Sequence, residues 1–122
     1  MLEYSQRLTT RARNVMTKSD GRSTGRTLFD CALEGGARAL GVQAYGFAVG
    51  AAADLISLDA NHETLLNRDE DTVIDSWIFA ARPPVVDCVW RFGRKVVSGG
   101  RHHKRDQIAS RYRASLARLL AI

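Results

Sequence analysis

The sequence is short of the residues that usually mark a reaction centre. Only two cysteines, Cys31 and Cys88, and three histidines, His62, His102 and His103, occur in 122 residues. No C-x-x-C, H-x-H or H-E-x-x-H spacing joins them. Two cysteines do not make a disulfide framework, so both are expected as free thiols in a reducing cytoplasm. No apolar run reaches the roughly 20 residues of a membrane helix, because Lys, Arg, Asp or Glu recur throughout. The opening Met1-Leu2-Glu3-Tyr4-Ser5-Gln6-Arg7 has no apolar signal-peptide core. Neither a membrane partner nor export is expected.

What remains is an ordinary globular composition, 45% hydrophobic and 25% charged. The length suits one domain, burying roughly two-thirds of its unfolded surface if compact. Eighteen Lys and Arg against 13 Asp and Glu give a net charge of +5. A basic balance raises nucleic acid as a partner. The arginines are spread along the whole chain beside apolar stripes, without an aromatic-basic platform, so solvated helix faces are the expected reading and nucleic acid is not the expected partner.

The chain pivots on Gly46–Asp59. Before it the apolar spacing is helical; after it the apolar residues begin to alternate. Met1, Tyr4, Leu8, Ala12 and Val15 predict a helix over 1–16, with Arg7, Arg11 and Arg13 largely off the stripe. No Ser, Thr, Asp or Asn precedes it to cap its first N–H groups, so this start reads as cut from a longer chain. Thr17–Arg22 reads as a loop. Ser23 or Thr24 caps a second helix, about 25–40, with Leu28, Phe29, Ala32, Leu33, Gly36 and Leu40 inward and Gly41 closing it. Gly35-Gly36 inside it predicts a close neighbour there.

Small Ala51–Ala53 lead to a buried strand, Leu55-Ile56-Ser57-Leu58, between Asp54 and Asp59. Asn61–Leu66 reads as a turn running into one helical turn. Val73, Ile74, Trp77, Ile78 and Ala81 predict a short helix over 71–81, ended by Pro83-Pro84. Val86, Cys88, Trp90 and Phe92 share one face of a strand, Gly93 turns the chain, and Arg94–Ser98 returns as its partner, closed by Gly99-Gly100. A final helix, about 104–120, aligns Ile108, Tyr112, Leu116, Leu119 and Leu120.

None of the polar residues assembles a site. Adjacent His102 and His103 are expected to diverge at the start of the last helix, whereas a metal needs converging ligands. His62 reads as locally hydrogen-bonded. Asp54 and Asp59, an odd number of residues apart, fall on opposite faces of a strand and read as strand-end hydrogen-bond acceptors rather than an acid–base pair. Ser57 lacks a nucleophile elbow, Cys31 lacks a local histidine, and Gly46–Gly50 lacks the Lys-Ser/Thr of a phosphate loop. Trp77 and Trp90 sit on apolar stripes. Catalytic, cofactor-binding and metal residues are therefore expected to be absent from this chain.

With these residues set out, Gly50-Ala51-Ala52-Ala53-Asp54-Leu55-Ile56-Ser57-Leu58-Asp59 resembles the G-x-x-A-D-L strand of the amidohydrolase superfamily. Val89–Val97 resembles its closing V-W-V-x-G-x-x-V hairpin. Leu2–Leu8, the run from Ser23-Thr24-Gly25-Arg26 through Gly35-Gly36-Ala37 to Leu40-Gly41, and Asp75-Ser76-Trp77-Ile78-Phe79-Ala80 together resemble formimidoylglutamate deiminase. The resemblance covers nearly the whole chain but only the last quarter to third of such an enzyme.

That resemblance implies an α+β fold: the barrel-end helices of a (β/α)8 amidohydrolase, a partial β-sandwich and a C-terminal helix, over 1–45, 46–100 and 101–122. It implies a hydrolase acting on non-peptide C–N bonds, converting N-formimidoyl-L-glutamate to N-formyl-L-glutamate and ammonia in histidine breakdown, with a metal, usually zinc, activating the water. The implied ligands are an H-x-H pair, a later histidine and an aspartate that would precede Leu2. No family catalytic residue maps onto this sequence, so the chain alone is expected to be inactive. Its strands are marginal without those of the N-terminal end, and its apolar stripes are expected to drive self-association. A free-standing basic module for nucleic acid or protein, or the tail of a guanine or other heterocyclic deaminase, are the alternatives; the Asp75–Phe79 run argues against the latter.

Overall fold

A computed structural model describes residues 2–12, 14–17 and 22–121. Met1 and Arg13, assigned above to the first helix and its flank, and the loop residues Lys18, Ser19, Asp20 and Gly21 lie outside the described residues. Among the described residues, four helices and a four-stranded antiparallel sheet make the fold α+β. In chain order they are α1 (Leu2–Thr10), α2 (Thr24–Ala39), β1 (Leu55–Leu58), α3 (Glu70–Phe79), β2 (Val86–Arg91), β3 (Arg94–Ser98), β4 (Arg101–His102) and α4 (Arg105–Leu120). The chain divides into two compact units. One is Met1–Ala52 with Asp59–Val85; the other is Ala53–Leu58 with Val86–Ile122.

The first unit is helical. Helix α1 stops at Thr10, short of the 1–16 span that the apolar spacing predicts. The Thr9 and Thr10 hydroxyls turn back onto the Ser5 and Gln6 carbonyls at 2.9 and 2.7 Å. Such back-bonding competes with the helix, and Arg11 and Asn14 then take positive φ of 53° and 55°. Ala12 and Val15 therefore lie beyond the helix. Tyr4 meets Phe79 of α3 edge-on, ring centres 6.1 Å apart.

Helix α2 starts on Ser23, whose side chain accepts the Arg26 N–H at 3.0 Å. It ends on Gly41 at φ 67°, where the Val42 N–H reaches the Ala37 carbonyl at 2.9 Å and the Gly41 N–H reaches Arg38 at 3.1 Å. This double closure satisfies carbonyls that the helix itself leaves open. The close neighbour expected at Gly35-Gly36 is not there: a Cβ at either would meet nothing within 4 Å. The tight glycine is Gly25, where a Cβ would stand 2.5 Å from Asp75 Oδ1 and 2.9 Å from Asp75 Cα. Glycine thus sets the approach of α2 to α3 in the first turn of the helix, and Phe29 against Trp77 (6.1 Å) continues the contact. Before α3, residues 61–66 form successive turns rather than a helical turn, and Leu65 there is buried.

The second unit carries the sheet, ordered β1-β2-β3-β4. Leu55 pairs with Trp90, Ser57 with Cys88 and Leu58 with Val86. Phe92 does not extend β2 as its period-two position predicts. With Gly93 it forms a two-residue turn in which both take positive φ, 47° and 73°. That hand matches the twist of paired strands. The cost of left-handed φ at Phe92 is offset by anchoring from the two residues just before β1: Asp54 accepts the Phe92 N–H at 2.7 Å and pairs with Arg91, and the Ala53 carbonyl accepts the Gly93 N–H at 2.8 Å. The next turn, Gly99-Gly100, is held alike by Asp87 of β2, through its side chain to the Gly99 N–H (3.2 Å) and its carbonyl to the Gly100 N–H (2.8 Å).

The basic surplus, though scattered in sequence, gathers in this unit, whose Lys and Arg face only Asp54, Asp87 and Asp106 as acidic residues. Buried apolar side chains are few among the described residues: Ala37, Leu65, Val85 and Cys88. Large ones stand open instead, including Leu40 (81% exposed) and Phe47 (95%).

Gly25→Ala should lower stability by about 1–3 kcal/mol, the usual cost of forcing atoms into a filled contact. Gly35→Ala, in an open helical position, should be neutral or raise it by up to about 1 kcal/mol. Urea unfolding of the two variants beside the parent checks both.

Candidate functional site

Two runs that carry the narrower resemblance, Ser23–Arg26 and Asp75–Ala80, meet in the first unit across 50 residues of sequence. Capping by Ser23 orients the first turn of α2 so that its free amides face α3. The Gly25 N–H donates to Asp75 Oδ1 at 2.6 Å, placing a carboxylate at the positive end of the helix. One residue on, Arg26 Nε donates to Asp71 Oδ1 at 2.8 Å, and its guanidinium lies 3.8 Å from Asp30. Arg22 reaches the other Asp30 oxygen at 3.3 Å. Beneath them, buried Thr24 donates to Asn14 Oδ1 at 3.0 Å, and Ser76 is buried on the α3 side.

The electrostatics are those of a clamp. The hydrogen bond from Arg26 holds the Asp71 carboxyl below its ordinary value, with the Arg26 charge adding to the effect. Arg26 is raised in turn, chiefly by the same hydrogen bond. A general acid would need its affinity for protons raised, and a general base would need an oxygen free for substrate. Asp71 is pushed the other way and is occupied. Among the described residues no buried side-chain polar atom lacks a partner. The cluster can fix α2 against α3.

The other candidates remain apart. Asp54 sits on the Phe92 turn, while Asp59 accepts the Asn61 N–H at 2.9 Å. Both are the strand-end acceptors that their spacing suggests. His62 Nδ1 lies 2.8 Å from the Thr64 hydroxyl, a local bond as expected. His102 and His103 do not diverge. His102 belongs to β4 and the helix begins only at Arg105, so the two rings stack at 4.5 Å. The Lys104 N–H donates to His102 Nδ1 at 3.1 Å, and His103 Nδ1 faces the Val96 carbonyl at 3.0 Å. Cys31 is an exposed free thiol and Cys88 a buried one. Ser57 accepts the Cys88 N–H at 3.1 Å. Trp77 packs on Phe29, whereas Trp90 carries Lys95 over its ring at 4.8 Å. Among the described residues no three His, Cys, Asp or Glu lie close enough to hold a metal ion, and no helix is long and apolar enough to cross a membrane.

Single-residue chemistry missed the Arg26–Asp71 and Gly25–Asp75 contacts, because neither carboxylate has a partner nearby in sequence. For Gly25 and Asp75 the signal lay in the two runs that carry the narrower resemblance, whose residues touch, whereas Asp71 lies outside both.

No family model matches the chain. Over 119 residues, 98% of its length, it is 42% identical to formimidoylglutamate deiminase of Pseudomonas aeruginosa. The crystal structure of an amidohydrolase from Brucella melitensis superposes over 98% of the chain with a TM-score of 0.84 at 49% identity. The chain spans 26% of the length of each. Similarity to formimidoylglutamate deiminase thus extends over nearly all of this chain, and the share matched fits a C-terminal fragment.

Because the folded Asp71 carboxyl titrates lower than an unfolded one, its pairing stabilises the fold above the ordinary carboxylate range, near about pH 4. That stabilisation fades as pH falls through the lower folded value. Asp71→Asn should therefore melt below the parent at pH 7, and the gap should close progressively under about pH 4. Thermal melts of both proteins across that range provide the check.

Proposed function

We propose that this chain is the C-terminal segment of a metal-dependent amidohydrolase that hydrolyses N-formimidoyl-L-glutamate to N-formyl-L-glutamate and ammonia, a cytoplasmic step of histidine breakdown. The observation that carries this reading is the 42% identity over 119 residues to the Pseudomonas deiminase. Contact between the two family-like runs supports it, since Gly25 bonds Asp75 and Phe29 packs on Trp77, joining the two runs in one interface of the fold. On this reading α1 and α2 are barrel-end helices, and the sheet is part of a small sandwich beside the barrel.

The described residues do not fit a zinc site: the histidines face hydrogen-bond partners of their own, and no three ligating side chains converge. The ion that the family resemblance implies would take its ligands from outside this segment. The chain's own part is architectural. Asp75 and Arg26 lock the helices together, and Asp54 and Asp87 hold the hairpins.

A chimera tests this, with these 122 residues replacing the matching quarter of the Pseudomonas enzyme. Ammonia release from N-formimidoyl-L-glutamate should stay within about tenfold of the parent, about 1.4 kcal/mol in barrier. The chain by itself should release none. A folded chimera that deaminates guanine instead would replace this reading by the heterocyclic one, and one inactive on both substrates would refute it.

A further inference from the structure

Helix α4 presents an apolar face that is open among the described residues. Ile108, Tyr112, Leu116 and Leu119 follow one another at spacings of four, four and three, which stacks them along one side. All four are exposed, Tyr112 at 65%. At about 100° per residue, Arg113 borders this stripe on one side and Arg111 and Arg118 on the other. None of these three arginines meets a carboxylate among the described residues. The helix is therefore built as an apolar strip between two cationic rails.

We infer that this face of α4 is an interaction surface whose occupant is the upstream part of the same amidohydrolase polypeptide, through an apolar seat with carboxylates along its margins. The inference rests on the proposed function and names a contact that the proposal leaves open. Three observations choose the occupant. The relatives have about three quarters of their length beyond the segment matched, so covering chain is at hand. The arginine rails ask for carboxylates, and pairing α4 with α4 of a second copy would set rail against rail. A nucleic acid would satisfy the arginines but leave the strip against phosphates and water, since it is the centre of the face that is apolar.

Accessibility of cysteines placed on the helix tests this, in a Cys31→Ser background because Cys88 is buried. Tyr112→Cys and Leu119→Cys lie on the strip, and Ala114→Cys lies on the opposite face, so these exposed positions can be changed without disturbing a core. In the 122-residue chain all three thiols should alkylate at similar rates. In the chimera with the Pseudomonas enzyme, the strip thiols should slow at least about tenfold while Ala114→Cys keeps its rate, which is the contrast that burial of one helix face produces. Equal rates in the chimera would overturn the inference. So would protection that disappears on dilution to monomer, which assigns the strip to a second copy, or protection of the isolated chain by a 20-nucleotide RNA.

The ammonia assay on the same chimera separates the two proposals. An active chimera with an open strip refutes the docking alone. A protected strip in a chimera inactive on N-formimidoyl-L-glutamate supports the docking and refutes the substrate.

Discussion

The first unit depends on one hydrogen bond, from the Gly25 amide to the Asp75 carboxylate at 2.6 Å. It forms only because residue 25 has no side chain, and its geometry places a negative group where the amides of α2 point. Other contacts follow from that closeness. Arg26 comes within reach of Asp71, Phe29 lies on Trp77, and Thr24 and Ser76 are shut away from water. A charged pair at such a partly exposed surface contributes little by itself. Its value here is positional, since it fixes the rotation of one helix against the other.

How much of this could be read from the sequence varies with the kind of interaction. Helices α2 and α3, strand β1 and the first hairpin were legible because the spacing of apolar residues reports directly which face is inward. The end of α1 was not, since threonine hydroxyls returning to the backbone leave the apolar period intact while undoing the helix. Phe92 misled for a related reason. It keeps the alternation of β2, but the turn takes it at φ 47°, a conformation decided by Asp54 far away in the chain. The double glycine in α2 drew attention away from Gly25, whose role depends on a neighbour 50 residues distant.

The candidate site divides along the same line. Absence of ligand spacing around the histidines was plain in the sequence, and their hydrogen bonds are local. The stacking of His102 on His103 was not foreseeable from helical periodicity, because β4 intervenes before α4 begins. The clamp of Arg26, Asp71 and Asp75 is distributed over two segments that only folding joins. Resemblance to a family marked the stretches that hold Arg26 and Asp75 without saying that they touch, and it did not mark Asp71.

The two turn-holding aspartates give the sheet a direction. Asp54, immediately before β1, secures the tip between β2 and β3, and Asp87 on β2 secures the tip between β3 and β4. Each strand therefore steadies the bend beyond its neighbour, and the series begins at β1, a strand separated in the chain from the rest by residues 59–85. A cleavage anywhere in that intervening stretch would turn the founding strand into a separate peptide. Its hold on the sheet would then obey mass action, weakening with dilution as a tethered strand does not.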